Sequence, residues 1–324
     1  MSVSTVRVIL NPAASGGAAL DLVEAIGRAL SSFDLTHEIV LTRSPGHGTE
    51  LARAAMADGV SVLAVAGGDG TLAEVVAAFV DEHGHAVSGP DLALIPTGTP
   101  GDFARTLGLR GSIAEAVGRL RHGARRPVDL GVARVRVSDD AKDPVVRPFV
   151  SAVSVGLAGE ALSRLNELAS PGTDARRYGT RFLGPRGKML LGATRALMDQ
   201  RTVGVRVRVD GRDVFEGNAV SVTIANGRYC AGGVMMAPHA DPGDGRLEVV
   251  VVGDVRLLDL GRLLPKALRG AHLSEPGIEV AGGARVEIEP LMPWAKVLAD
   301  VDGTQLGRLP VTAELLPGAL TFRI

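Results

Sequence analysis

Three short stretches of this 324-residue chain bring glycine and hydroxyl side chains together, two of them with an acid, at spacings that could do chemistry. The first is Ala64-Val-Ala-Gly-Gly-Asp-Gly-Thr-Leu-Ala-Glu-Val-Val76. Its apolar start reads as a strand, and Leu72, Val75, Val76, Phe79 and Val80 follow at helical spacing. Thr71 and Glu74 form a Thr-x-x-Glu capping box. Gly67-Gly-Asp-Gly70 is then a strand-to-helix turn whose amides and helix dipole face an incoming anion. Two glycines alone would equally fit a plain tight turn. Asp69, at the tip, would repel a phosphate, so its presence asks for a second task.

The second stretch is Ile95-Pro-Thr-Gly-Thr-Pro-Gly-Asp-Phe-Ala-Arg-Thr-Leu-Gly108. Thr99 reads as a helix cap, Pro100 as the first helical residue and Asp102 as an acid three after the cap. On that reading Asp102 needs no role beyond capping. Gly108 can end the helix. The third stretch, Leu10-Asn-Pro-Ala-Ala-Ser-Gly-Gly17, is small and polar, and Thr42-Arg-Ser-Pro-Gly-His-Gly48 resembles it. Four such loops side by side make a groove suited to a nucleotide. His47 reads as a structural loop histidine rather than a base.

The elements that must carry these loops follow from periodicity. Strands are read at Val6–Leu10, His37–Leu41, Ser61–Ala66 and Asp91–Ile95. Helices are read at Ala18–Leu30, Thr49–Asp58, Leu72–Asp81, Asp102–Leu107 and Ile113–His122. Apolar strands alternating with amphipathic helices imply a parallel sheet covered on both faces, with ligands at the carboxyl ends of its strands. After about Pro127 the rhythm changes. Strands are read at Val132–Val137, Pro148–Val155, Val203–Val209, Val220–Ala225, Arg246–Val252 and Ala284–Glu289, with Asp210-Gly211 as a hairpin turn. Helices are fewer, near Leu157–Leu168, Lys188–Met198 and Leu257–Gly270. This predicts a second domain dominated by antiparallel strands.

Composition narrows the function classes. A hydrophobic fraction of 46% fills two cores, and a net charge of −1 offers no global field for nucleic acid. The single cysteine, Cys230, excludes an internal disulfide framework and fits a reducing, cytoplasmic compartment. Residues Met1 to Leu10 read as a first strand rather than a signal peptide. No window offers the roughly 18 apolar residues of a membrane span, so at most peripheral contact with the inner membrane face is expected.

Taken together, the motifs resemble a known family. Asn11-Pro12 with Ser15-Gly16, Gly67-Gly-Asp-Gly-Thr71 and Pro96-x-Gly-Thr-x-x-Asp-Phe-Ala-Arg105 are similar to the diacylglycerol/lipid kinase catalytic family, in its soluble bacterial branch related to sphingosine and ceramide kinases. The resemblance continues through Pro127-Val-Asp-Leu-Gly131, Ser154-Val-Gly-Leu157, Asn226, Gly232-Gly233, the segment Ala237 to Leu247, and Asp302-Gly303. It implies a three-layer α/β nucleotide domain like that of NAD kinases and phosphofructokinases, followed by a β-rich, sandwich-like domain. The ATP-binding domain would span residues 1–128, completed by C-terminal strands at about 311–324, and the lipid-substrate domain 129–310. It implies ATP and Mg²⁺ as cofactors, and phosphorylation of a lipid hydroxyl, most simply that of diacylglycerol to give phosphatidic acid. Asn11, Ser15, Thr42, Gly67, Gly68, Asp69, Gly70, Thr71 and Thr99 would contact ATP. The resemblance leaves a homodimer open.

Within this resemblance Asp69 has its task. Phosphoryl transfer rests on positioning and charge neutralisation, and an acid beside the phosphates can hold Mg²⁺ or receive the proton of the attacking hydroxyl. Asp69 and Asp302 are the implied catalytic acids. Two positions depart from the family. Gly101 stands where an Asn precedes the Asp, and Thr304 where a Glu general base follows Asp302-Gly303. Losing such a base costs typically about 10²–10⁴-fold. Either Asp69, Asp300 or Asp302 takes over, or activity is weak or absent. The resemblance also maps a structural Mg²⁺ to Asp241, Asp244 and Arg246, where an ordinary Asp-Gly turn is the alternative. Arg176, Arg177, Arg181, Arg186, Lys188 and Arg195, interleaved with Tyr178 and Phe182, suit anionic lipid or a solvated face equally. Two other functions stay open: a lipid-binding or regulatory protein without turnover, for which Gly101 and Thr304 argue, and a kinase of a soluble metabolite such as NAD.

Overall fold

The structure is a computed structural model describing residues 5–13, 21–97, 101–138, 143–156, 202–255 and 257–324. Its first part alternates β1 (Thr5–Leu10), α1 (Leu22–Ser32), β2 (Thr36–Leu41), α2 (His47–Ala57), β3 (Val62–Ala66), α3 (Asp69–Val76), β4 (Asp91–Ile95), α4 (Asp102–Thr106) and α5 (Ile113–His122). β2, β1, β3 and β4 pair in that order, all parallel. The strand-end loops therefore share one edge. Alternation along the strands sends Val6, Val8 and Leu10 against Ile26 and Leu30 of α1 and Val117 and Leu120 of α5. Ile9, Leu63 and Val65 face Ala52 and Ala55 of α2 and Leu72 and Val75 of α3. These are the three layers expected from the sequence.

The second part comprises β5 (Arg125–Arg136), β6 (Val145–Phe149), β7 (Ala152–Gly156), β8 (Val203–Val209), β9 (Arg212–Ala225), β10 (Leu247–Gly253), α6 (Leu257–Ala267), β11 (Ile278–Gly283), β12 (Arg285–Pro290), β13 (Leu298–Val301) and β14 (Thr304–Arg323). Val205 and Val207 of β8, Val222 and Ile224 of β9, Val249 and Val251 of β10 and Val286 and Ile288 of β12 alternate into one buried core. The β8–β9 turn has Asp210 at φ 48° and Gly211 at φ 77°, the two left-handed residues a two-residue hairpin turn requires.

Two long strands join the parts. β5 and β14 run antiparallel from Arg136 beside Arg308 to Arg125 beside Arg323. At its far end β14 lies parallel to β4, with Phe322 opposite Leu92. Buried Asp91 fastens the junction, accepting from Arg125 Nη2 at 2.7 Å and Arg323 Nε at 2.8 Å.

Several local expectations are corrected. The helix after β3 begins at Asp69, so Thr71 lies inside it and there is no Thr71–Glu74 capping box. Glu74 instead accepts from the amides of Gly46 and Gly48, both at 2.9 Å, and so caps α2. The run Pro148–Val155 is two strands, broken at Val150-Ser151. β5 starts at Arg125 rather than Val132 and passes through Pro127 without a break. The helices read near 157–168 and 188–198, and the arginine-rich segment, lie outside the described residues.

Candidate active site

The site begins where β3 hands over to α3. A side chain at Gly67 would collide with the Thr71 hydroxyl, so glycine lets the turn close on its own helix. Thr71 Oγ1 accepts from Asn11 Nδ2 at 3.1 Å, and Asn11 Oδ1 accepts from the Ala13 amide at 2.9 Å. The first and third strand-end loops are thereby tied together. Buried Thr42 joins them through its amide, which donates to the Leu10 carbonyl at 2.9 Å. Cβ atoms at Gly68 and Gly70 would meet nothing within 4 Å, so the turn presents bare backbone to open space. Ser15 and Thr99 lie outside the described residues. His47 sits at the start of α2 and its Nδ1 accepts from the Arg43 amide at 3.1 Å, a structural bond.

Asp69 is half-buried rather than exposed at a tip. Its carboxylate accepts from the amides of Asp102 at 2.7 Å and Phe103 at 3.2 Å. It thus caps α4 from the first turn of α3. Any side chain at Gly101 would collide with Asp69 Oδ1, so the departure at Gly101 accompanies this packing. α4 is anchored by buried Phe103, whose ring lies 5.5 Å from that of Phe322 on β14.

Asp102 is not merely a cap. Its buried carboxylate reaches the second part and accepts from the Gly232 amide at 2.8 Å. Burial, and then the charge of Asp69, push it up to about 6, against the pull of that amide.

Across the cleft stands the β13–β14 turn. Asp302 has φ 46°, and its carboxylate accepts from the amides of Val150 at 2.8 Å and of Ser151 and Ala152 at 2.9 Å. These are the amides freed where β6 gives way to β7. Burial raises Asp302 to about 6, with Asp69 adding to the rise and the three amides opposing it. Asp300 is 2% exposed; its Oδ1 accepts from the Gly303 amide at 2.8 Å, and its Oδ2 has no hydrogen-bond partner among the described residues. Burial pushes it up to about 7, against the Gly303 amide and with help from Asp302. Thr304 is exposed at the rim.

These groups enclose a cleft of about 450 Å³ lined by Asp69, Asp102, Asp300 and Asp302, with Ser151, Ser154 and Thr304. Among the described residues no Lys or Arg lines it. A smaller pocket opens at the ends of β3 and β4, between Gly67, Gly68, Asp69, Ile95 and Thr97. Asp69 lines both. Cys230, also on the cleft, is buried among these acids, which together with burial push its thiol up and keep it protonated.

The side chains mapped to a structural Mg²⁺ each have partners within the protein. The Asp241 carboxylate is taken by Arg126 Nη2 at 2.6 Å. Asp244 Oδ1 accepts from the Arg246 amide at 2.9 Å, and Arg246 Nη2 donates to the Gly282 carbonyl at 2.8 Å. Among the described residues no three His, Cys, Asp or Glu side chains gather as a metal set. The segment is a hydrogen-bonded turn held by Asp129, whose Oδ2 accepts from Gly245 at 2.8 Å and Oδ1 from Gly318 at 2.7 Å. Asn226 Nδ2 donates to the carbonyls of Asp129 at 2.9 Å and Val150 at 3.0 Å. In the sequence these residues stand out only as parts of motifs. The signal was there for Asp129, an acid inside a buried apolar strand.

Comparison with known proteins agrees with this geometry. Residues 5–133 match the diacylglycerol kinase catalytic domain, and residues 170–323 the YegS C-terminal NAD kinase beta sandwich-like domain. The chain is 28% identical over 305 residues to a "probable lipid kinase YegS-like" of Xanthomonas euvesicatoria, covering 92% of this chain and 87% of that one. It is 28% identical over 269 residues to a diacylglycerol kinase of Staphylococcus carnosus, covering 83% and 78%. A crystal structure of a diacylglycerol kinase from Bacillus anthracis superposes with a TM-score of 0.73 at 25% identity, covering 100% of this chain and 97% of that one. Yeast NADH kinase shares the fold, with a TM-score of 0.54 at 10% identity, covering 99% and 83%.

Proposed function

Because the chain belongs to the diacylglycerol/lipid kinase catalytic family, we propose that it transfers the γ-phosphoryl group of ATP to the hydroxyl of a neutral lipid, diacylglycerol above all. The observation that carries this reading is the position of Asp69, shared by the strand-end pocket and the cleft beyond it. A nucleotide in the first would point its terminal phosphate at an acceptor in the second. The bare amides of Gly68 and Gly70 suit the phosphates. ATP arrives as its magnesium complex, whose ion keeps much of its shell in phosphate oxygens and water. The chain's part is to align donor and acceptor and to receive a proton.

The acceptor class follows from charge. Among the described residues four carboxylates and no basic side chain line the cleft, which disfavours a lipid that already carries a phosphate. Purified protein with labelled ATP, Mg²⁺ and matched micelles of diacylglycerol or phosphatidylglycerol tests this directly. Label should pass to diacylglycerol in clear preference. Transfer to neither lipid would return the chain to a binding role.

Such an acceptor lies in a bilayer, and no helix among the described residues is long and apolar enough to cross one. Contact with the surface is assigned to the β12–β13 loop, where Trp294 is 76% exposed and Met292 52%. Exposed tryptophan beside apolar residues favours the lipid–water boundary. Trp294 is the chain's one tryptophan, so its emission reports on itself. Vesicles containing diacylglycerol and anionic lipid should shift that emission to the blue, and Trp294→Ser should weaken vesicle binding. Unshifted emission with bound protein would move the contact elsewhere, the arginine-rich segment being the next candidate.

A further inference from the structure

We propose that Asp300 is the group that takes the proton from the acceptor hydroxyl, in place of a carboxylate at position 304. The inference rests on the lipid-kinase reading above and concerns which of the cleft's acids is free to act.

The other acids are engaged. Asp69 has an amide on each oxygen and caps α4. Asp302 accepts three amides and holds the break between β6 and β7. Asp102 spans to Gly232. Amides that hydrogen-bond a carboxylate lower its basicity and fix its direction. Thr304 offers only an alcohol, which is no base near neutral pH.

Asp300 differs in kind. Its Oδ1 is fixed by the Gly303 amide, while its buried Oδ2 has no partner among the described residues, although the side chain lines the cleft. A buried carboxylate oxygen without a donor is costly and rare. A substrate hydroxyl drawn in from the cleft would supply the missing donor. Ser154 stands opposite Asp300 on β7, and its buried Oγ also lacks a partner. The hydroxyl could donate to Asp300 and accept from Ser154.

Position also favours the exchange. In the β13–β14 hairpin Asp300 pairs with Gln305 and Val301 with Thr304, so residues 300 and 304 lie on the two arms of one turn, one register step apart. A carboxylate moved from one side of that turn to the other still serves the same cleft, which both residues line. Ser154 pairs with Asp300 from β7, and the titratable groups that line the cleft with it are Asp302 on its own turn, Asp69 on α3, Asp102 on α4 and Cys230, none of them cationic among the described residues. Burial and Asp302 raise Asp300 to about 7, close to the pH at which a base must both be ionised and hold a proton.

The lipid oxygen forms a bond to the γ-phosphorus, the bond from that phosphorus to the bridging oxygen breaks, and its electron pair leaves with ADP. The hydroxyl proton passes to Asp300 Oδ2 and then to solvent.

Asp300→Asn keeps the shape and removes the base. With Mg²⁺-ATP and diacylglycerol in mixed micelles, kcat should fall by about 10²–10⁴-fold, while KM for ATP stays within about threefold. Adding Thr304→Glu to that variant should recover at least about tenfold, by returning a carboxylate to the opposite side of the turn. A readout independent of turnover accompanies this. A carboxylate raised in the folded state binds more protons there than when unfolded. Native stability from Asp300 is therefore greatest at low pH and lost as pH rises through about 7. Asp300→Asn should melt higher than the parent at pH 8, and the gap should close towards pH 5. If Asp300→Asn keeps a third or more of the parent kcat, or loses activity only through KM for ATP or a collapsed Tm, the proposal is overturned. A parent protein that phosphorylates no lipid overturns the kinase reading first, without any variant, and this inference falls with it.

Discussion

The two walls of the cleft hold acids in opposite ways. On the α/β side Asp69 sits on the first turn of a helix, beside glycines that expose backbone amides, and its carboxylate organises the next loop. On the sandwich side Asp300 and Asp302 sit in and beside strands, Asp300 almost fully buried and both with raised pKa values. A loop wall binds phosphate through amides that need no side chain. A strand wall fixes a few side chains rigidly and removes them from water, which is what a proton acceptor needs. Asp69 is thus built for geometry, and Asp300 opposite for basicity.

Three substitutions test this contrast. The largest effect should come from Asp69→Ala, which removes the group shared by both pockets. Turnover should drop by about 10³-fold or more, the scale of losing a preorganised electrostatic group. The lost cap on α4 should cost about 1 kcal/mol of stability. Steady-state kinetics and thermal melts measure both, and a folded variant with normal turnover would break the contrast outright.

Gly101→Asn restores the residue the family carries, yet it should harm this chain. The new side chain collides with Asp69 Oδ1, so the carboxylate must leave the α4 amides. A loss of about tenfold in kcat/KM, near 1.4 kcal/mol, is expected. A gain would mean that Gly101 is a defect rather than an accommodation.

The smallest effect should come from Thr304→Glu in the otherwise unchanged protein. With Asp300 already present, a further carboxylate adds like charge to a cleft holding four acids, and kcat should change by less than about threefold or fall. A rise above about tenfold would show that the strand wall lacks its base.

Legibility in the sequence divides along similar lines. Asp91–Ile95, Ile113–His122 and Val203–Val209 appear at the bounds read from periodicity, and the Asp210-Gly211 turn where its residue types put it. The strand-end loops were legible for the same reason: glycine, hydroxyl and acid between strand and helix are a local signal. The break at Val150-Ser151 was not, because the amides it frees find their acceptor in Asp302, about 150 residues away. Nor was the cap on α2, which comes from Glu74, or that on α4, which comes from Asp69.

The sequence by itself determined the layered α/β half, the β-rich half and the set of acids, since these depend on side-chain period and on residue type. Only the tertiary structure decided what each acid does. Asp69, Asp102 and Asp302 find distant amides and are committed by them, whereas Asp300, in the lining of the cleft, is left with a buried oxygen that has no donor among the described residues. A carboxylate's role depends on which donors surround it, and those donors come from elements far apart in the chain that only folding brings together.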